Sequence, residues 1–259
     1  MKLTFLGTGT SFGVPQIGCH CRVCCSNDPR DRRTRVGAVV ETDGGVQLLL
    51  DTPPELRVQL VAAGIDKVDA VLVTHEHADH THGMDDLRAI TIRRDSPLPV
   101  YAATETLAAL ALKFPYIFDT RLRPLPGTSK PEGEARPIQP LVPFTVGDAS
   151  ILPFKVPHGH VTCLGFRIGP LAYITDAKSV PDDVLAAIRG VKVLVLNALF
   201  QVEHPTHLSI PEAVRVAHAV GAERTFFTHL THDHLHADLE AELPRGIAPA
   251  FDGLTVRVD

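Results

Sequence analysis

The chain has 259 residues, 44% hydrophobic and 21% charged, which is ordinary globular usage and excludes a disordered or collagen-like polymer. Thirty acidic against 25 basic side chains leave a formal charge of −5, which argues against a protein that holds long nucleic acid by bulk electrostatics. No run approaches the roughly 18 apolar residues of a membrane span. The start, Met1-Lys2 followed by LTFLGTGTSFG, is too glycine-broken for a signal peptide, so a cytoplasmic location is expected.

Residues 2–7 (KLTFLG) predict a first strand, ended by glycines and Pro15. VGAVVET (36–42) and VQLLLDT (46–52) flank Asp43-Gly44-Gly45 and predict a hairpin. A helical pattern spans 54–63, with Pro53 and Pro54 at its start and Gly64 past its end. DAVLVTH (69–75) is the pattern of a central strand buried on both faces. A polar loop, a helix from Met84 to about Ile92, a strand at 99–102 and a helix at 104–113 follow. Between 115 and 143 seven prolines fall in 29 residues. Tyr116, Ile117 and Phe118 demand burial there, so the stretch reads as an ordered, irregular excursion. Strands are then expected at 149–156, 162–168, 171–175, 191–197 and 223–228, helices at 181–188, 210–220 and 233–242, and a closing hairpin at 247–258. Strands early and late with helices between them fit two packed sheets with helices outside, an α+β arrangement of one domain over 1–259.

Histidine reaches 14, and twelve of these fall in four groups at 75–82, 158–160, 204–207 and 229–236, while four of five cysteines sit between positions 19 and 25. Without an export signal, such clusters indicate metal before disulfides. Thr74-His75-Glu76-His77-Ala78-Asp79-His80 begins where an apolar strand ends. Four potential ligands in six residues cannot all face one cation, but on a loop leaving a strand they can diverge to two neighbouring ions. Further ligands would come from other strand ends: His158 follows ILPFKVP, Asp176 follows LAYIT and His229 follows RTFFT. A lone aspartate at a strand end is commonly a cap or turn former; recurrence at four strand ends argues otherwise.

HxHxDH with a later His, an Asp and a final His resembles the dinuclear hydrolase branch of the metallo-β-lactamase fold, over essentially the whole chain. The resemblance implies an αββα sandwich of two mixed sheets with metals at one edge. It gives His75, His77 and His158 to one divalent cation (Mn²⁺ or Zn²⁺) and Asp79, His80 and His229 to a second, with Asp176 bridging. An aspartate at the bridging position is like that of the phosphodiesterase and thioester-hydrolase members.

Gly18-Cys19-His20-Cys21-Arg22-Val23-Cys24-Cys25 contains CxCxxC within a loop at 18–26. Three thiolates in six residues can wrap a tetrahedral Zn²⁺, with a fourth ligand from Cys25, His20 or elsewhere. Together with Gly13-Val14-Pro15 before it and Thr228-His229-Leu230-Thr231-His232 near the end, the motif resembles the phosphoribosyl cyclic phosphate phosphodiesterases of carbon–phosphorus lyase pathways. That likeness implies a structural zinc on Cys19, Cys21, Cys24 and His232, and a catalytic histidine in Glu203-His204-Pro205-Thr206-His207, where His207 matches better than His204. His82 and His160 neighbour ligands and are expected to support them; His218, His234 and His236 lie on expected helices and face solvent.

The expected function is a metal-dependent phosphodiesterase that opens a small cyclic phosphodiester, such as a phosphoribosyl 1,2-cyclic phosphate, by attack of a hydroxide shared by two cations. His207 and Asp79 are its expected catalytic residues, and a homodimer fits the likeness. Arg121, Arg123, Lys130 and Arg136 of the excursion would either meet a second phosphate or lie on a solvated loop. Rival readings are a tRNA 3′-processing endonuclease, disfavoured by the net charge, a pyrroloquinoline-quinone-biosynthesis-like protein, and a zinc-binding scaffold with a vestigial second site.

Overall fold

The computed structural model describes residues 1–259. Its strands are β1 (Lys2–Gly7), β2 (Gly37–Glu41), β3 (Gln47–Leu50), β4 (Ala70–Leu72), β5 (Leu98–Ala102), β6 (Gly133–Pro137), β7 (Phe144–Val146), β8 (Ala149–His158), β9 (Val161–Ile168), β10 (Leu171–Ile174), β11 (Val193–Asn197), β12 (Arg224–Thr228), β13 (Ile247–Pro249) and β14 (Thr255–Arg257). The helices are α1 (Leu56–Ala62), α2 (Ala78–Thr81), α3 (Arg88–Arg94), α4 (Thr104–Lys113), α5 (Pro115–Phe118), α6 (Asp182–Ile188), α7 (Ile210–Val220) and α8 (His236–Glu242). One seven-stranded sheet has the order β14-β1-β2-β3-β4-β5-β6 and the other β13-β12-β11-β10-β9-β8-β7.

Period-two alternation explains how each strand serves two layers. In β3, Leu48 and Leu50 enter the core between the sheets, while Leu49 faces the outer layer with Leu56 and Leu60 of α1 and Leu110 of α4. In β11, Val193 and Val195 face inward, while Leu194 and Leu196 pack with Val184 and Ile188 of α6 and with Ala213 and Ala217 of α7. Both faces of the central strands are therefore apolar, and the result is the expected αββα sandwich of mixed sheets.

Parallel pairing positions the site. β3, β4 and β5 run parallel in one sheet, and β10, β11 and β12 in the other. Polar residues just beyond their carboxyl ends emerge along one rim, the usual location of sites in such sheets.

The structure departs from the expected elements in four places. The closing segment is no hairpin: β13 runs parallel to β12 and β14 antiparallel to β1, so the chain crosses between the sheets at 250–254. Gly253, at φ 88, permits that crossing. Both strands are three residues long, too short for their alternation to distinguish sheets. The helix expected from Met84 divides into a 3₁₀ turn (Met84–Leu87) and α3. The helix expected from 233 begins at His236, whose ring is buried edge-on against Phe251 with centroids 5.5 Å apart, rather than solvated. The proline-rich excursion supplies α5 and the edge strand β6, with Ile117 buried.

Candidate metal centre

The strand-end residues converge. His75 follows β4; α2 then turns the chain so that Asp79 and His80 point back toward the rim. His75 Nε2 lies 2.9 Å from His77 Nδ1, and His158 Nε2 lies 3.4 Å from the same atom. Asp176 is 1% exposed and stands between the other groups: Oδ2 is 3.1 Å from His80 Nε2, while Oδ1 is 3.2 Å from His229 Nε2 and 2.8 Å from His207 Nε2. Asp79 Oδ2 approaches His80 Nε2 at 3.5 Å and His229 Nε2 at 3.9 Å. All seven expected ligands thus meet, and Asp176 touches or neighbours both sets. His207 joins His158 and Asp176, whereas His204 contacts only Thr206, Phe200 and His207 Nδ1.

Hydrogen bonds set which ring nitrogen faces the centre. Asp51 Oδ2 can only accept, so His80 Nδ1, 2.7 Å away, donates to it and leaves Nε2 for the centre. Asp51 also accepts from the Thr74 amide at 2.8 Å and the Thr74 hydroxyl at 2.9 Å. That hydroxyl lies 3.0 Å from His75 Nδ1, so one fully buried carboxylate orders histidines from both sets. His158 Nδ1 donates to the Thr206 carbonyl at 3.0 Å. Asp51 was absent from the expected site, although LLLDT places an acid at the end of an apolar run just as LAYITD does.

The electrostatics suit cations. Burial holds His75, His77 and His158 below the ordinary imidazole range, leaving neutral rings with free lone pairs. Burial would also discharge His80 and Asp176. Asp176, Asp51 and Asp79 nevertheless keep His80 well above its usual range, while His229 and His80 keep Asp176 well below its own. Asp176 Oδ2 is sealed from solvent with no hydrogen bond, and so is His229 Nδ1. A carboxylate oxygen 3.1 Å from an imidazole nitrogen without hydrogen-bonding geometry is the arrangement of two ligands to one ion. The residues fit a pair of divalent cations.

A second cluster lies at the N-terminal loop. His232 Nδ1 is 3.3 Å from Cys19 Sγ, 3.6 Å from Cys21 Sγ and 3.4 Å from Cys24 Sγ. Tetrahedral zinc with bonds of about 2.3 Å to sulfur and 2.0 Å to nitrogen sets S···N separations near 3.5 Å. The Cys24 amide holds the Cys21 thiol down to about 6, while burial pushes Cys24 up to about 11, so full ionisation of the set asks for a cation. Cys25 is exposed and stands outside the cluster, as does His20.

A cavity of about 400 Å³ opens over the histidine–aspartate centre, lined by Ser11, Gly159, His160, Val161, Thr206 and His207 together with five of the ligands. Arg121, Arg123, Lys130 and Arg136 do not line it. Arg121 bonds Asp119, Arg136 pairs with Glu134 at 2.7 Å and Lys130 faces Glu132 at 3.8 Å, so the solvated-loop reading fits better than a second phosphate site. His160 lines the cavity, whereas His82 lies against Phe114 and supports no ligand.

Residues 47–230 match the model of the beta-lactamase superfamily domain. The chain belongs to the metallo-β-lactamase-fold hydrolases. It is 39% identical over 264 residues to the octanoyltransferase of Porphyromonas gingivalis, covering 100% of this chain and 52% of that one. The chain therefore spans about half the length of that relative. It superimposes with a TM-score of 0.90 on the crystal structure of a new diphosphatase from the PhnP family, at 39% identity over 98% of this chain and 96% of that one. Zn²⁺-bound PqqB from Methylobacterium extorquens, at 23% identity and a TM-score of 0.79 over 99% and 100% of the two chains, shares the fold. No helix of this hydrolase is long and apolar enough to cross a membrane.

Proposed function

We propose that this hydrolase is a dinuclear metal-dependent phosphodiesterase that opens a small cyclic phosphodiester such as a phosphoribosyl 1,2-cyclic phosphate. The observation that carries the reading is Asp176, a buried carboxylate in contact with His80, His207 and His229 at the floor of an open cavity. The 39% identity to a PhnP-family diphosphatase supports phosphoryl chemistry. His75, His77 and His158 would hold one cation and Asp79, His80 and His229 the other, with Asp176 between them, while Cys19, Cys21, Cys24 and His232 would hold a structural zinc. When bound, the pair supplies a nucleophilic water at neutral pH and neutralises charge on phosphoryl oxygens.

The chain's own residues do the remaining work. His207 lines the cavity with Nε2 2.8 Å from Asp176 Oδ1, and in its protonated form it would give the Nε2 proton to the leaving alkoxide and return to neutral imidazole. Thr206 orients His207 through a hydroxyl 2.9 Å from Nδ1, and through its carbonyl it also orients His158. Asp79 places its carboxylate at the cavity wall between His80 and His229. Ser11 and His160 are the polar lining side chains without a partner inside the protein, and they face the part of the substrate beyond the reacting phosphorus. The substrate is then a small phosphorylated molecule, and a homodimer remains part of the proposal.

The test is hydrolysis of bis(p-nitrophenyl) phosphate and of a ribosyl 1,2-cyclic phosphate with added Mn²⁺ or Zn²⁺. Turnover of both is expected, and inactivity under metal-replete conditions refutes the phosphodiester reading. The relative named for octanoyl transfer favours a second reading, hydrolysis of an octanoyl thioester, although that name belongs to a protein about twice this length. Cleavage of octanoyl-coenzyme A, with no turnover of either phosphodiester, would select it.

A further inference from the structure

Arg33 is the largest fully buried side chain, 1% exposed, in a loop rather than a core layer. Sinking a guanidinium costs several kcal/mol unless its donors are met, and an apolar residue of similar volume fills such space more cheaply. Its two terminal nitrogens are met in a particular way, while Nε is sealed from solvent without a partner. Nη1 donates to the Thr231 carbonyl, and Nη2 donates to the His234 carbonyl at 3.0 Å and to Asp31 Oδ1 at 3.3 Å. Those two carbonyls bracket His232 in a stretch that belongs to no helix or strand, where backbone groups must find partners elsewhere. Asp31 extends the grip: Oδ1 accepts the His236 amide at 2.6 Å, and Oδ2 accepts the Ser26 hydroxyl at 2.6 Å, one residue beyond Cys25.

The same segment carries His229, which sits at φ 56, a left-handed conformation that a non-glycine side chain adopts at a cost. The next residue is held on both sides: Leu230 N donates to Thr8 O at 2.8 Å, and Thr10 N donates to Leu230 O at 3.3 Å. Gly9 lies between those partners so close to Arg33 that a Cβ there would stand 2.6 Å from the Arg33 carbonyl. Arg33, the N-terminal loop and residues 229–236 therefore form one packed unit, with a ligand of each metal cluster at positions 229 and 232.

We propose that Arg33, paired with Asp31, is a positioning residue that fixes the 229–236 segment and so couples the cysteine cluster to the histidine–aspartate centre. The inference rests on the metal reading of both clusters. If the wild-type protein binds no zinc through Cys19, Cys21 and Cys24, that reading falls; the comparisons below test the coupling separately.

The experiment compares zinc release to a chromophoric chelator from the metal-loaded protein and from Arg33→Met, Arg33→Lys and the double variant Arg33→Met with Asp31→Asn, which removes both charges together. Ile151→Ala serves as a reference, since Ile151 lies in the inter-sheet core at the opposite end of β8 from His158 and is destabilising through packing alone. Release from the cysteine site at least tenfold faster in Arg33→Met and the double variant than in Ile151→Ala at equal loss of melting temperature is expected, with Arg33→Lys recovering part of the difference. Equal release rates overturn the proposal. The wild-type protein provides a measurement independent of how the variants fold. Displacing the cysteine-bound zinc with a stoichiometric mercurial should speed hydrogen exchange at the amides of Leu230 and His236 together, and unchanged exchange at both refutes the coupling.

Discussion

Glu212 offers a prediction whose size follows from its surroundings. It is the third residue of α7 and completes a capping box with Ser209: the Ser209 amide and hydroxyl each donate to Oε2 at 2.8 Å, while Oε1 pairs with Lys178 at 2.8 Å. Lys178 lies two residues beyond Asp176 and Ser209 two beyond His207, so this carboxylate ties together the flanks of two site residues. Burial alone would raise its pKa, but Lys178 and the Ser209 donors bring it down to about 2 from 4.5. That difference corresponds to about 3 kcal/mol, and partial exposure of the pair, 30% for Lys178 and 17% for Glu212, reduces it to about 2 kcal/mol. A carboxyl depressed in the folded state contributes fully above its unfolded value, near 4.5, and the contribution is lost as pH falls toward 2. Glu212→Gln, assayed by urea denaturation at fixed metal content, is therefore expected to cost about 2 kcal/mol at pH 7. The deficit stays constant to about pH 5 and shrinks by nearly half at pH 3.5. A deficit that is the same at pH 3.5 as at pH 7, or absent at pH 7, would refute the assignment of this energy to the carboxylate's charge.

Asp51→Ala removes the acceptor shared by His80 and, through Thr74, His75, and should weaken divalent-metal affinity about 10–100-fold by calorimetry; unchanged affinity would show that ring orientation is set elsewhere. His207→Ala should lower kcat about 100-fold with metal content intact, and loss of metal in that variant would instead make His207 a ligand. Cys24→Ser should bind one zinc fewer per chain by elemental analysis, whereas Cys25→Ser should bind the full complement. Phe166→Ala, which empties a fully buried position between the sheets, should cost about 3–5 kcal/mol in denaturant.

How much of this architecture can be read from the chain depends on whether a residue's role is local. His158, Asp176 and His229 are legible because each follows an apolar run that must be a buried strand, and parallel strands deliver their ends to a common rim. Helices over 104–113 and 210–220 coincide with their amphipathic pattern because their apolar faces lie within the segments themselves, and the caps of the second, Ser209 and Gly221, stand directly beside it. The crossing at 250–254 is not local: Ala250 donates to Phe227 in one sheet, and Gly253 and Phe5 bond in the other, so the choice of sheet is made by partners more than 20 residues away. His236 likewise carries a solvent-facing helical pattern, yet it is buried because Phe251 from that same crossing covers it.

Asp51 and Arg33 show the limit most clearly, since neither would touch a metal and both act through others. Each is a buried charge, costly in isolation, retained where its partners are the hydroxyl, amide, ring N–H or carbonyl groups that flank ligands. A buried charge whose partners are backbone groups stabilises one loop conformation over its neighbours, which an apolar side chain of equal volume cannot do. The histidine–aspartate centre needs that selectivity, because its ligands come from four separate stretches of chain and each must present one particular atom. On this argument the ligand set accounts for which ions bind, and Asp51 and Arg33 account for why the loops are already arranged to receive them. Exchange of the Thr74 amide, which Asp51 accepts, should accordingly be slow in the metal-free protein; rapid exchange there would mean that the ions impose the arrangement instead.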